Sequence, residues 1–155
     1  MSATHYNTTP QNQEKLYDAA FVGREEEVER LMSTRAAHPN TEARYGDLAL
    51  CAAARMGRTA TVVTLARLGA DVNLAQSCDD RDTPLGWAAL GGHTATVAKL
   101  LELGAVASQR NGAGKSPRDL ALERGHGQIA AVLEVAEEVA DVEALRRRAP
   151  LKRSL

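Results

Sequence analysis

The sequence predicts an all-α protein: a solenoid of stacked helix-turn-helix pairs, extended by a further helix at its C-terminal end. Three observations carry that prediction. Glycines at 23, 57, 92 and 125 recur at spacings of 34, 35 and 33 residues, and self-similarity at such a period marks a repeat architecture. Thr83-Pro84 and Ser116-Pro117 each set a capping hydroxyl before a proline, the arrangement that opens a helix. Aromatic residues make up 3% of a chain that is 44% hydrophobic, so alanine and aliphatic side chains must build the core, which suits closely stacked helices.

In chain order, residues 1–12 form a polar arm without the basic start and apolar run of a signal peptide. The repeat domain then covers residues 13–137. Its first copy, about 13–45, holds Leu16, Ala19-Ala20, Gly23, Val28 and Leu31, but has Glu14-Lys15 where a cap pair would stand, and so reads as an N-terminal capping repeat. The second, 46–80, runs from Leu48-Ala49-Leu50 through Ala53-Ala54, Gly57-Arg58, Val62 and Leu65 to the turn Gly69-Ala70-Asp71-Val72-Asn73.

The third copy, 81–113, shows each step most fully. Thr83 caps a helix whose first position is Pro84. Ala88 and Ala89 leave little side chain between neighbouring helices, and Gly92 supplies the left-handed residue that stops the first one. His93 leads into a second helix with Val97, Leu100 and Leu101 on one face, ended by Gly104. The fourth copy, 114–137, has Ser116-Pro117, Ala121, Gly125-His126, Ile129 and Leu133. Neither helix of such a pair can bury its apolar face alone, so stability must come from stacking on the next pair. Beyond Leu133, Val135, Val139, Val142 and Leu145 continue at helical spacing. Residues 138–155 are therefore expected to form a helical extension that covers the end of the stack, followed by a basic tail with Arg146-Arg147-Arg148, Lys152 and Arg153.

The string Thr83-Pro84-Leu85-Gly86-Trp87-Ala88-Ala89-Leu90-Gly91-Gly92-His93, with Val97, Leu100, Leu101 and Gly104-Ala105 after it, closely resembles the ankyrin repeat. The resemblance covers 13–137 in four copies and implies an ankyrin-repeat solenoid with short β-hairpin loops between the helix pairs. Gly86, Cys51 and Asp119 stand where that family's box has a histidine, which implies looser hairpins. The stretch from Asn73 to Thr83 is two residues longer than that from Ser108 to Ser116, and it gives the third hairpin a protruding acidic tip, Asp79-Asp80-Arg81-Asp82. Asn73 stands where some ankyrin proteins carry a hydroxylated asparagine, with Leu65 upstream; on its own chemistry it is a turn-stabilising residue.

The resemblance implies a non-catalytic protein-protein interaction module, an adaptor or scaffold whose partner lies in the groove of hairpin tips and exposed ends of the first helices. The pairs before each anchor glycine form a stripe across that groove: Phe21 and Val22, Arg55 and Met56, Leu90 and Gly91, Glu123 and Arg124. Its apolar part is expected to be a hydrophobic anchor. The hairpins add Arg44, Tyr45 and Asp47, then Asp79, Asp80, Arg81 and Asp82, then Arg110, Asn111 and Lys115. Trp87, beside the alanine pair, is assigned to core packing.

Bulk properties exclude other classes. A net charge of -1 over 155 residues lacks the global positive field of a nucleic-acid binder, and no apolar run approaches the roughly 18 residues of a membrane span. Cys51 and Cys78 are neither CxxC-spaced nor numerous enough for a disulfide framework. They fit a reducing, cytoplasmic location, with the nucleus as the alternative offered by the arginine-rich tail. His5, His38, His93 and His126 are far apart, and neither an HExxH motif nor an EF-hand loop occurs, so no metal site is expected. Glu25-Glu26-Glu27 and Glu137-Glu138 read as solvated helix faces. Gly112-Ala113-Gly114-Lys115-Ser116 matches the end of a phosphate-binding loop, but Gln109 occupies the place of its first glycine and no buried strand precedes it. No enzymatic activity, cofactor or small-molecule substrate is expected, and the free chain is expected to be a monomer.

Two alternatives share the same surface. The length is similar to that of the four-repeat inhibitors of cyclin-dependent kinases, which suggests an inhibitor that clamps an enzyme; their second repeat is irregular, whereas residues 46–73 here are regular. Residues 141–155 carry five bases and two acids, a net +3, which leaves -4 over residues 1–140 and suggests a chaperone for a basic client protein.

Overall fold

A computed structural model describes residues 6–78, 80 and 82–149 of the chain. These residues form eight α-helices: α1 (Pro10–Val22), α2 (Glu25–Ser33), α3 (Ala49–Arg55), α4 (Thr59–Arg67), α5 (Pro84–Leu90), α6 (Thr94–Glu102), α7 (Pro117–Glu123) and α8 (Gly127–Arg148). Consecutive helices pack as pairs, and the pairs stack in two rows. In one row α1 lies on α3, α3 on α5 and α5 on α7; in the other α2 lies on α4, α4 on α6 and α6 on α8.

Local chemistry sets the helix starts. The Thr83 hydroxyl accepts from the Gly86 amide at 3.1 Å ahead of α5. Ser116 and Asp119 form a reciprocal capping box at α7, in which each side chain accepts the other's amide. The first helix departs from the sequence expectation. Thr9, not Glu14, is its cap, accepting from the Asn12 amide at 3.2 Å with Pro10 following. The hydroxyl-proline signal thus lies five residues upstream of the repeat register, and α1 has 13 residues against seven in α3, α5 and α7.

The core lies between the two rows. Leu16, Val28, Leu31, Val62, Leu65, Leu85, Val97, Leu100 and Leu133 are at most 1% exposed, and the alanine pairs at 19–20, 53–54 and 88–89 at most 4%. Small side chains on the first-row helices permit their close approach.

Polar side chains join the pairs. Asn40 accepts from the Asp71 amide at 2.7 Å and donates to the Gly69 carbonyl at 3.2 Å. Asn73 repeats the pattern one pair later, accepting from the Val106 amide at 2.8 Å and donating to the Gly104 carbonyl at 3.1 Å. The His93 ring nitrogen Nε2 meets the Arg55 carbonyl at 2.9 Å.

Among the described residues no strand forms between the pairs. The expected hairpins are turns closed by isolated backbone bonds, from Ala43 to Asp47 at 2.7 Å and from Asn111 to Lys115 at 2.9 Å. Their arms are too short to continue into a ladder.

The C-terminal expectation is corrected. No glycine or proline interrupts residues 128–148, so the second helix of the fourth pair continues unbroken into the extension as the 22-residue α8. Its buried positions end at Leu133, and every residue from 138 to 149 is exposed. The extension runs past the stack and does not cover it.

Candidate protein-binding face

The packing of α1 on α3 and of α3 on α5 brings Arg55 against residues 21 and 87. Arg55, the last residue of α3, sets its guanidinium carbon 5.7 Å from the centre of the Phe21 ring and 5.2 Å from that of Trp87. Its Nη2 donates to the Tyr17 hydroxyl at 2.8 Å, and Tyr17 stacks on Phe21 with centroids 6.2 Å apart. A cation over a ring face contributes about 0.5–1 kcal/mol at such partly exposed sites. Burial pushes the Tyr17 phenol above its ordinary pKa, with the Arg55 charge opposing it.

Trp87 packs on the core with one side and on Arg55 with the other, half-buried rather than fully interior. Its indole N–H is buried with no hydrogen-bond acceptor among the described residues. The ring is therefore held for its face and its area.

The residues of the expected stripe differ in exposure. Val22 is 49% exposed, Met56 and Leu90 are half-buried, and Glu123 and Arg124 are exposed at the far end. Phe21 is half-buried because Arg55 and Tyr17 lie against it. These side chains thus form an arginine-aromatic stack where the sequence suggests an open apolar patch. Tyr17 and Trp87 were missed as members. Tyr17 precedes Phe21 by four residues on one helix, which was the available signal for it.

On the hairpin side, Tyr45 is 85% exposed and takes a left-handed φ of 63° in the 3-10 turn Arg44–Gly46. Arg44 lies 3.9 Å from Asp18, and Asp47 is half-buried. Arg110 pairs with Asp119 at 3.2 Å and Lys115 with Glu123 at 2.7 Å. Asp80 is exposed, while Asp79 and Arg81 lie outside the described residues.

Asp82 corrects the acidic-tip expectation. It is 3% exposed and accepts from the Asn111 amide side chain at 2.7 Å. The same Asn111 accepts from the Ala113 and Lys115 amides. Both residues therefore hold the loops together from within. Cys51 Sγ lies 3.8 Å from the Asp82 carbonyl and Asp119 closes the capping box, so these two of the three positions where the resemblance implies histidines keep side-chain ties, and Gly86 does not. The thiol of Cys51 is buried, and its pKa is pushed far up by desolvation.

Burial raises the Asp82 carboxyl pKa above its ordinary value, while the Asn111 bond opposes the shift. In the window between its unfolded and raised folded pKa, the folded state binds more protons than the unfolded one. This residue's contribution to stability therefore falls as pH rises through the window. Asp82→Asn keeps an acceptor for Asn111 and removes the titration. The variant is expected to gain stability relative to the parent as pH rises from 4 to 7, measured by urea unfolding at each pH; a constant difference would refute the assignment.

The residues that resemble a phosphate loop are already engaged. The Ala113 and Lys115 amides point to Asn111 Oδ1, the Lys115 ammonium to Glu123, and the Ser116 hydroxyl caps α7. Among the described residues no three of His, Cys, Asp and Glu converge as a metal site, and no helix is long and apolar enough to cross a membrane. Compared with models of known protein families and with curated protein sequences, the chain matches none.

Proposed function

We propose that this chain is a protein-binding module of the ankyrin kind, working as an adaptor or scaffold without catalysis, and that its partner docks on Tyr17, Phe21, Arg55, Met56, Trp87 and Leu90. The observation that carries the proposal is Arg55 held between Phe21 and Trp87. Tryptophan, tyrosine and arginine are the residue types that dominate binding energy at protein interfaces. Here all three meet on one partly exposed face, preorganised by the helices beneath. Among the described residues, Tyr17 is the one side chain that accepts from the guanidinium, which has five donors. The others are available to a partner's carboxylate or carbonyl groups. The four-copy sequence pattern and the two-row stacking support the same reading.

The test compares proteins retained from a cell lysate by the parent chain with those retained by Arg55→Ala plus Leu90→Glu, with helical circular dichroism as the folding control. A retained partner should bind the variant roughly 30-fold more weakly, the equivalent of about 2 kcal/mol. If the same proteins bind equally well, this face is not the docking site.

A further inference from the structure

Arg55 is a half-buried cation that no acid of the described residues neutralises. The cations of the neighbouring hairpins differ in this respect. Arg44 lies 3.9 Å from Asp18, Arg110 pairs with Asp119 at 3.2 Å and Lys115 with Glu123 at 2.7 Å. The Arg55 guanidinium instead lies against Phe21 and Trp87 and makes its one side-chain bond to a neutral group, the Tyr17 hydroxyl. Asp47 acts on the Tyr17 phenol from the hairpin side without forming an ion pair with Arg55. Rings on both sides keep water from much of a charge that is left uncompensated, and such a charge gains strongly from an anion brought to it.

We propose that the partner of this face is a protein segment that sets the side-chain carboxylate of an internal Asp or Glu on Arg55, with an apolar residue beside it on Met56 and Leu90. The proposal rests on the docking face assigned above and adds the chemistry of what binds there. Phe21 comes from α1 and Trp87 from α5, on either side of α3. With its faces taken by rings, the guanidinium is left to a ligand through its N–H edge, whose forked donors match the two oxygens of a carboxylate.

Charge narrows the occupant further. One cation with Asp47 close by suits a single negative charge, whereas phosphate groups, with nearly two, are held by clusters of arginines. Captured chain ends rest on nests of backbone amides. Here the donors belong to one side chain in the middle of the stack, which suits a segment that continues past the site in both directions. Met56 adjoins Arg55, and Leu90 lies one turn after Trp87 on α5; both are half-buried apolar side chains next to the cation.

The test is selection of short random segments on the immobilised full chain, each displayed with carrier protein following it so that no C-terminus is free. Selected segments, synthesised with acetylated and amidated ends, should share an Asp or Glu next to a large apolar residue. Exchanging that acid for Asn or Gln should weaken binding to the parent about 10-fold. The same exchange should make no difference to Arg55→Gln, since the coupling is lost with the pair, and Arg55→Lys should keep part of the preference because it keeps the charge without the fork. Leu90→Glu should weaken binding of every selected segment, and helical circular dichroism checks the fold of each variant. If Leu90→Glu weakens binding but the acid can be exchanged without loss, or if its preference persists in Arg55→Gln, the face stands and the carboxylate assignment is overturned. If neither Leu90→Glu nor Arg55→Gln changes binding, the face itself is wrong and the assignment falls with it. Enrichment of no segment, enrichment only of segments that end in a free carboxylate, or tighter binding once phosphoserine replaces the acid would also overturn it.

Discussion

Leu65→Ala is expected to lower the unfolding free energy by about 3–4 kcal/mol, within the span measured for leucine truncation in well-packed cores. Leu65 is fully buried on α4, in the middle of the second row, with α2 on one side and α6 on the other. Removing three carbons there leaves a void that neither neighbour can close without giving up its own contacts. The cost also has a cooperative part. Each pair is stable only through its neighbours, so a weak central pair uncouples the two halves of the stack. Urea unfolding should show a lower midpoint together with a shallower transition, because the halves then unfold less as one unit. An unchanged midpoint would mean that the α2–α4–α6 row is not a continuous packed core.

Gly57→Ala is expected to cost about 2–3 kcal/mol, from two separable sources. The residue has φ of 67°, a conformation that costs a side-chain-bearing residue about 1–2 kcal/mol. A Cβ there would also lie 2.5 Å from Nδ1 of His93. The imidazole must then move, and its contact with the Arg55 carbonyl, worth about 1 kcal/mol, is disturbed. Gly125→Ala separates the two sources. Its φ is 77°, yet nothing lies within 4 Å of the added Cβ, so it should show the conformational cost alone. If thermal or urea unfolding gives both variants the same loss, the His93 contact contributes nothing to stability.

These positions also show what a reader of the sequence can and cannot reach. The glycine period and the Thr-Pro and Ser-Pro pairs locate α5 and α7 to the residue, because capping and helix termination are local events decided by a few neighbouring atoms. The Thr9-Pro10 start of α1 uses the same chemistry, but it sits outside the repeat register, so the period does not point to it. Asp82 belongs to a run of acids, and acids in a run are ordinarily solvated. Its burial depends on Asn111, 29 positions away, which no local pattern announces. The Arg55 stack was half legible. Phe21, Arg55 and Leu90 follow from the period, whereas Trp87 looked like core because the face it turns to Arg55 is created only when α3 and α5 dock. The valines of α8 were visible as a helical pattern, but not that the helix leaves the stack before they can be covered.

Tyr17 to Arg55, Glu29 to Arg67 and Arg55 to His93 are each joined across 38 positions, and that figure has a mechanical meaning. A tie of this reach links one pair only to the next, so a force applied to the two ends of the chain is carried through a series of similar joints rather than through one clasp. Such a chain yields in stages, with each pair that comes loose releasing a few dozen residues of slack while the remainder keeps its shape. The first two joints are tied in this way, and the third is closed by Asn111 on Asp82 across 29 positions.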